Sequence, residues 1–200
     1  MMALIVELMS TWTLDWTEAF GFITGLACVY LVVRENPWNW PLAMVNAVFF
    51  LVLFWRTHLF ADSMLQVVYF CIGGYGWWNW LFGGENHSAL SVSRTGARLL
   101  SVYLFACMLL TAAIYGVLVH TPSTVPFWDA LTTSMSFVAQ VMLTRKLIEN
   151  WYLWILADVI YIGLYGYKGL ILTSILYVVF LGLCILGLRQ WREGLDSNSS

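Results

Sequence analysis

The residues with the clearest chemical potential fall on one stripe of a predicted helix. Trp154, Asp158, Tyr161, Tyr165 and Lys168 recur at helical spacing, so one face carries an acid, aromatic rings and a terminal lysine. Asp158 lies near the middle of an apolar segment, where inserting an aspartate costs about 2.5–3.5 kcal/mol. The stripe suits a cationic or polyhydroxylated aromatic ligand, which the rings would stack on and the carboxylate would balance. The alternative is an Asp158 that is protonated or locally bonded and merely ties helices together.

Polar amides occupy other apolar segments at a similar depth. Asn46, Gln66 and Gln140 lie midway along three of them, and Gln66 shares a helical face with Tyr69. Amide groups are neutral donors and acceptors, which suit a carboxamide or a ribose. Each amide taken alone is equally well explained as a bond between helices. Their coincidence at one depth favours a shared cavity.

Composition excludes a water-soluble globule. Hydrophobic residues make up 61% of the 200-residue chain and charged residues 10%, whereas an average soluble chain is about 25% charged. We therefore expect a lipid bilayer around the protein, and the net charge of −2 gives no indication of nucleic-acid binding. No metal site and no cofactor are predicted. The cysteines lie singly in apolar stretches, which is typical of small packing residues: Cys28, Cys71, Cys107 and Cys184.

Seven apolar segments approach the ~20 residues that a transmembrane helix needs. They predict an all-α membrane protein with seven transmembrane helices at 17–34, 38–56, 60–82, 97–119, 127–145, 151–167 and 170–189. Tryptophans near segment ends are predicted to be interfacial anchors: Trp12, Trp16, Trp38, Trp78, Trp80, Trp128, Trp151 and Trp191.

Basic residues predict the orientation of the helices. One set of connections carries most of them, and the opposite set carries only Arg56 and Lys168. By the positive-inside rule the N-terminus lies outside and the C-terminus in the cytoplasm. The cytoplasmic set is Arg34, Arg94, Arg98, Arg145, Lys146, Arg189 and Arg192.

The chain also aligns with itself. Arg34 matches Arg145 at an offset of 111 residues, Asn36-x-x-x-Trp40 matches Asn150-x-x-x-Trp154 at 114, and the offset returns to 111 later in the chain. Two similarly oriented three-helix units need an odd number of helices between them. The sequence therefore predicts a 3+1+3 parallel-repeat arrangement, with a site where the repeats meet. Its parts are a first repeat at 17–82, a linker helix at 97–119 and a second repeat at 127–191.

The repeats differ where an asymmetric ligand would require it. Trp40 and Trp154 match in this alignment, whereas the partner of Asp158 is apolar and Tyr177 takes the place of Gln66. The predicted substrate-binding residues are Trp40, Asn46, Gln66, Tyr69, Gln140, Trp154, Asp158, Tyr161 and Tyr177.

Several short motifs occur along the chain: Glu35-Asn36-x-x-x-Trp40, Tyr75-Gly76-Trp77-Trp78-x-Trp80, Asn150-x-x-x-Trp154-x-x-x-Asp158, Tyr167-Lys168-Gly169-Leu170 and Leu176-Tyr177-Val178-Val179-Phe180. With these motifs the chain resembles the PnuC family of vitamin transporters, over nearly everything from Glu18 to Trp191. Members of that family are bacterial inner-membrane carriers of nicotinamide riboside, and some relatives prefer riboflavin or thiamine. The resemblance implies a fold similar to that of SWEET sugar transporters, with a linker helix and the opposite membrane orientation.

The resulting hypothesis is a nicotinamide riboside transporter that works by facilitated diffusion and alternating access. The resemblance implies that phosphorylation in the cytoplasm traps the substrate. A carrier of another vitamin, or a SWEET-like sugar transporter, is the alternative. An enzyme is not expected, because His58, His87 and His120 lie at segment ends or in loops and no HExxH or nucleophile motif is found. The sequence leaves open whether protomers form a homo-oligomer.

Overall fold

The structure, a computed structural model, describes residues 16–56, 58, 60–122 and 124–197. Within these residues the chain forms seven α-helices and one turn of 3₁₀ helix at Glu85–His87. The helices are α1 (Trp16–Val33), α2 (Asn39–Arg56), α3 (Phe60–Phe82), α4 (Ala97–Leu118), α5 (Pro126–Thr144), α6 (Asn150–Tyr167) and α7 (Ile171–Ser197).

The prediction of an all-helical chain with seven helices is confirmed. Each predicted segment coincides with one helix to within a residue at either end, except that α7 continues to Ser197. Among the described residues, three helices are long and apolar enough to cross a membrane by length and composition: α2, α4 and the Thr173–Asp196 part of α7. The Phe20–Val33 part of α1 is apolar but shorter. Crossing by all seven helices stays a prediction.

The remaining three helices, α3, α5 and α6, each carry a polar or charged residue within their apolar length, as α2 also does with Asn46. Gln66, Gln140 and Asp158 lie on them. A helix that lines a polar cavity inside a bundle needs a lower mean hydropathy than one that faces lipid on all sides. Gln66, Gln140 and Asp158 lower the mean hydropathy of the helices that carry them, whereas α2 reaches a mean hydropathy of 1.3 with Asn46 included.

The two predicted repeats correspond at a constant offset of 111 residues. α2 and α6 each contain 18 residues and begin at Asn39 and Asn150. The side-chain Nδ2 atoms of these residues donate to Asn36 O at 2.9 Å and to Leu147 O at 2.6 Å. The 111-residue offset also relates two serine bonds between helices, Ser63 Oγ to Leu51 O and Ser174 Oγ to Ile162 O.

The alignment of this region at an offset of 114 is therefore wrong. Trp40 corresponds to Trp151, and the matching motif is Asn-Trp-x-Leu, which begins at Asn39 and at Asn150. The error has a simple origin, because a slip of three residues is close to one helical turn. It leaves the apolar face almost unchanged, so periodicity alone does not distinguish the two registers.

Four tryptophans form a buried cluster that we call the Trp tetrad: Trp40, Trp80, Trp151 and Trp191. Each is at most 2% exposed. Trp40 meets Trp80 edge to face at 5.6 Å between ring centroids, and Trp151 meets Trp191 in the same way at 5.3 Å. Trp80 and Trp191 lie 6.1 Å apart. The tetrad thus consists of two equivalent pairs, one from each repeat.

The prediction that Trp80, Trp151 and Trp191 are interfacial anchors is wrong. The indole Nε1 of Trp80 donates to Leu143 O at 3.0 Å, and that of Trp191 donates to Val32 O at 3.2 Å. A buried indole normally needs such an acceptor. Trp38 and Trp128 are exposed, as anchors would be, and Trp12 lies outside the described residues.

Glycine makes the close packing of the tetrad possible. A Cβ atom at Gly76 would lie 2.6 Å from Cη2 of Trp40, and one at Gly187 would lie 2.8 Å from Cε2 of Trp151 and nearer still to its Cη2. Gly76 and Gly187 are equivalent at the 111-residue offset. In each repeat, therefore, a tryptophan of the second helix packs against a glycine of the third helix.

The segment between α3 and α4 is bonded to the second repeat. Ser93 pairs with the corner before α6 through Ser93 N to Lys146 O at 3.1 Å and Ile148 N to Ser93 O at 3.0 Å. Thr95 donates to the Glu149 carboxylate from both its backbone N and its Oγ1, at 2.9 and 2.7 Å. This polar segment is therefore fixed at one end of the bundle, which we call the basic end because it carries Arg34, Arg94, Arg98, Arg145, Lys146 and Arg189.

Gly187→Ala is expected to destabilise the protein by about 1–3 kcal/mol, because the added methyl group overlaps the Trp151 ring in a packed interior. Thermal unfolding in detergent measures the effect. The matched control is Gly182→Ala on the same helix, where a Cβ has open space. Equal midpoints for the two variants would contradict the packing described for the tetrad.

Candidate functional site

Two adjoining cavities lie between helices of the two repeats. One has a volume of about 430 Å³ and contains Asp158, and we call it the acid cavity. The other has a volume of about 390 Å³ and contains Asn46 and Gln66, and we call it the amide cavity. Both fall within the range of small-molecule sites. Their common wall is formed by Cys28, Ala43, Tyr69, Ser136, Gln140 and Trp154.

All nine residues predicted to bind substrate line these cavities. Three line the acid cavity alone, namely Asp158, Tyr161 and Tyr177. Trp40, Asn46 and Gln66 line the amide cavity alone, and Tyr69, Gln140 and Trp154 line both. Five helices supply these nine side chains, so the predicted positions converge in space although they are spread over most of the chain. Their role in binding stays a prediction.

Asp158 is nearly buried, with 4% of the residue exposed, and has one weak protein partner. The Cys184 thiol donates to its Oδ2 at 3.3 Å. Within the part of the chain that the structure describes, no Lys, Arg or His forms an ion pair with Asp158. A thiol is a poor donor, so most of the hydrogen-bonding capacity of the carboxylate is left for a ligand or water. Burying a carboxylate with so little compensation is costly, which is typical of a functional position.

Tyrosines form one wall of the acid cavity. The rings of Tyr161 and Tyr177 lie 4.6 Å apart between centroids, and Tyr165 stacks on Tyr177 at 5.3 Å with an interplanar angle of 15°. Phe180 packs against Tyr177 at 5.8 Å. Stacked rings provide a flat, rigid surface that another planar ring can extend. Beyond this wall, Lys168 lies 4.0 Å from Asp129, so the lysine of the predicted stripe has a different carboxylate as its neighbour.

Asn46 is partly committed to the protein. Its Nδ2 donates to Thr24 Oγ1, and this hydroxyl donates in turn to Phe20 O at 2.6 Å. The bond joins α2 to α1. This donor of Asn46 therefore forms a bond between helices, which is the alternative to ligand binding that the sequence left open for each amide. An amide has two donors and two acceptor sites, and the bond to Thr24 uses one donor.

Asn39, Trp151 and Cys184 are among the wall residues of the acid cavity that are absent from the predicted substrate-binding set. Among the described residues, the indole Nε1 atoms of Trp40 and Trp151 are buried without a hydrogen-bond partner. Each tryptophan lines one cavity, and they occupy equivalent positions in the two repeats. The signal that would have found Trp151 is the Asn-Trp-x-Leu motif at the 111-residue offset.

The correct register shows how the site departs from symmetry. Asp158 corresponds to Ala47, and Cys184, which bonds it, corresponds to Gly73. Gln140 and Tyr161 likewise correspond to apolar residues, Val29 and Phe50. Four side chains of the second repeat therefore stand where the first repeat has an apolar residue or glycine, although Asn39 and Tyr69 of the first repeat also line the acid cavity.

An apolar bundle of seven helices that encloses polar, ring-lined cavities has the construction of a small membrane transporter. The sequence profile of a family described as nicotinamide mononucleotide transporter matches residues 15–193. The chain therefore belongs to this family, of which the PnuC transporters are members. It is a multi-pass protein of the bacterial inner membrane.

Individual relatives agree with this placement. The nicotinamide riboside transporter PnuC of Escherichia coli is 28% identical over 204 residues, which cover 89% of this chain and 85% of that protein. The riboflavin/roseoflavin transporter RibM of Streptomyces davaonensis is 28% identical over 185 residues, with 88% and 84% covered. The crystal structure of the vitamin B3 transporter PnuC matches with a TM-score of 0.68 at 21% identity, covering 96% of this chain and 88% of that one. This last likeness shows the fold.

Asp158→Asn is expected to stabilise the ligand-free protein by about 1 kcal/mol or more, because a neutral amide replaces a carboxylate that is buried beside one weak donor. Thermal unfolding of the purified protein without ligand measures the change. Asp129→Asn is the matched control, since this acid has Lys168 within 4.0 Å. A lower unfolding midpoint for Asp158→Asn than for the parent would show that Asp158 ties helices together.

Proposed function

We propose that this chain transports nicotinamide riboside across the membrane by facilitated diffusion. The observation that carries the proposal is the Asp158 carboxylate, which lines a ring-walled cavity without an ion partner among the described residues. Nicotinamide riboside carries a pyridinium cation, a carboxamide and ribose hydroxyls. A buried anion beside aromatic rings matches the first of these groups, and neighbouring amides match the other two.

The proposed pose follows from the chemistry of the walls. The pyridinium ring lies beside Asp158 and stacks on the rings of Trp154 and Tyr161, where charge pairing and cation–π attraction act on the same group. Gln140 lines both cavities and Gln66 the amide cavity, so their amides are placed to bond the carboxamide or the ribose. One ligand then bridges the two cavities.

Related proteins support the substrate and also supply the main competitor. The nicotinamide riboside transporter of Escherichia coli and the riboflavin/roseoflavin transporter RibM have the same identity to this chain, 28%. Similarity alone therefore does not separate the two vitamins. The lone carboxylate favours the cationic ligand, because the neutral ring system of riboflavin offers no charge to balance it. Thiamine is also cationic, so the competition experiment described below includes thiamine and a sugar as alternative substrates.

For the mechanism, we propose alternating access between two three-helix units. Residues 17–82 and 127–191 form the units, and the helix at 97–119 joins them in the 3+1+3 arrangement with the N-terminus outside. The units rock about the cavities and open them to one side at a time. No nucleotide-binding motif occurs in the sequence, so we assign no ATP-driven step, and cytoplasmic phosphorylation of the riboside would draw net uptake.

Purified protein in liposomes is expected to equilibrate labelled nicotinamide riboside without concentrating it. Unlabelled riboside in excess should abolish uptake, whereas nicotinamide, riboflavin, thiamine and glucose should compete weakly. Stronger competition by riboflavin, thiamine or glucose than by the riboside would reassign the substrate. Accumulation above the outside concentration only under an imposed proton or sodium gradient would replace facilitated diffusion by coupled transport.

Asp158→Asn is expected to weaken riboside binding about 10–100-fold, as a charge-assisted contact is lost. Trp154→Ala should weaken it about 5–30-fold through loss of stacking and cation–π attraction. Calorimetry on the purified variants measures both changes, with Trp38→Ala as the control because Trp38 is exposed outside the cavities.

A neutral ligand separates charge from shape. The dihydro form of nicotinamide riboside lacks the pyridinium charge, so Asp158→Asn should change its affinity much less than it changes that of the riboside. Unchanged riboside affinity in both Asp158→Asn and Trp154→Ala would remove these residues from the site.

A further inference from the structure

The acid cavity ends, toward the basic end, on two hydrogen bonds that cross between the repeats. Val32 and Leu143 line this cavity, and their carbonyl oxygens accept the indole N–H groups of Trp191 and Trp80. Each bond joins one repeat to the other, and the 111-residue offset converts one bond into the other. The floor of the cavity is thus a reciprocal contact, in which each repeat provides one donor and one acceptor.

An ion pair lies at the same end and obeys the same symmetry. Lys146 Nζ is 3.2 Å from Glu35 Oε2, and these two residues are themselves equivalent at the 111-residue offset. The Lys146 side chain is only 7% exposed, and its Nζ lies 4.6 Å from the centroid of the Trp80 ring. Both residues have left-handed backbones, with φ of 51° at Glu35 and 49° at Lys146. Two matching corners therefore meet face to face beside the Trp tetrad.

We propose that the Trp tetrad and the Glu35–Lys146 pair together form the gate that closes the cavities at the basic end. The proposal rests on the transport function proposed above and adds the residues that must separate for a ligand to leave on this side. When the repeats part here, both crossing indole bonds and the ion pair break. Because the two bonds are related by the repeat symmetry, one relative movement breaks them together, so the gate opens as a unit.

The ion pair makes the gate sensitive to a single charge. The lysine end of this pair is buried, whereas the Glu35 side chain is 36% exposed. With Glu35 removed, the buried ammonium group of Lys146 loses the carboxylate that balances it in the closed state, and leaving a buried charge without its partner is unfavourable. When both charges are replaced by uncharged side chains, that penalty disappears, since buried pairs are often replaced at little cost. Removing the charge of Glu35 alone should therefore favour the open gate. Removing the charges of both Glu35 and Lys146 should allow the gate to close again.

Accessibility of a cavity cysteine tests the gate without any substrate. Ser136→Cys, on the wall shared by the two cavities, is introduced after the four native cysteines are replaced. A membrane-impermeant thiol reagent is then added to sealed vesicles of either orientation. Cleavage of a C-terminal tag identifies the basic end, where α7 finishes.

In this background Glu35→Gln is expected to raise the labelling rate from the basic end about tenfold, equivalent to about 1.4 kcal/mol. Trp191→Phe, which keeps the ring but loses one crossing bond, should raise it about fivefold, close to 1 kcal/mol. The double variant Glu35→Gln with Lys146→Met should return the rate toward the parent. Arg145→Gln is the matched control, because it removes the exposed charge next to Lys146.

Labelling that is unchanged in Glu35→Gln and Trp191→Phe, or that rises equally from both sides, would overturn the gate. Failure of the substrate assignment gives a different result. In that case riboside binding is absent in calorimetry, while the side-specific changes in labelling persist.

Discussion

Packing between the repeats depends on one reciprocal contact: an indole N–H from each repeat bonds to a backbone carbonyl of the other. Trp80 reaches Leu143 O and Trp191 reaches Val32 O, and the edge-to-face tryptophan pairs hold these rings in position. Inside a membrane protein such buried bonds have no water to compete with them. Directional bonds and close packing, rather than hydrophobic burial, therefore hold the repeats together at this end.

On this symmetric frame the chemistry is asymmetric. Asp158 and Cys184 of the second repeat stand where the first repeat has Ala47 and Gly73, although the surrounding backbone is equivalent. The asymmetry has a physical use, because a ligand with a charged ring at one end and a sugar at the other has no two-fold symmetry of its own. Asp158 and Cys184 differ from their counterparts in the first repeat, whereas the tetrad, whose Trp40 and Trp151 also line the cavities, has tryptophan at all four equivalent positions.

The lengths of the apolar segments predicted the seven helices. Helical spacing and depth predicted the nine site residues, all of which line the cavities. Two interpretations failed for physical reasons. A slip of three residues nearly preserves a helical face, so Trp154 was matched with Trp40 where Trp151 is its equivalent. Trp80, Trp151 and Trp191 lie near the ends of the predicted segments, which is also where lipid anchors occur. Their burial comes from tertiary contacts, namely the ring contacts of the tetrad and the packing of Trp151 onto Gly187. The ion pair between equivalent corners depends on contacts across the whole chain, which spacing does not encode.

The bonded segment from Ser93 to Thr95 has a kinetic consequence. Ser93 and Thr95 form hydrogen bonds to the corner before α6. These bonds fix part of the covalent connection between the repeats to the second repeat. A covalent connection that is fixed to one of two surfaces raises their effective concentration, so contacts that are individually weak re-form more readily after they part. Contacts of modest strength between the two repeats are then sufficient at the basic end, because the connection keeps the repeats close enough for these contacts to re-form.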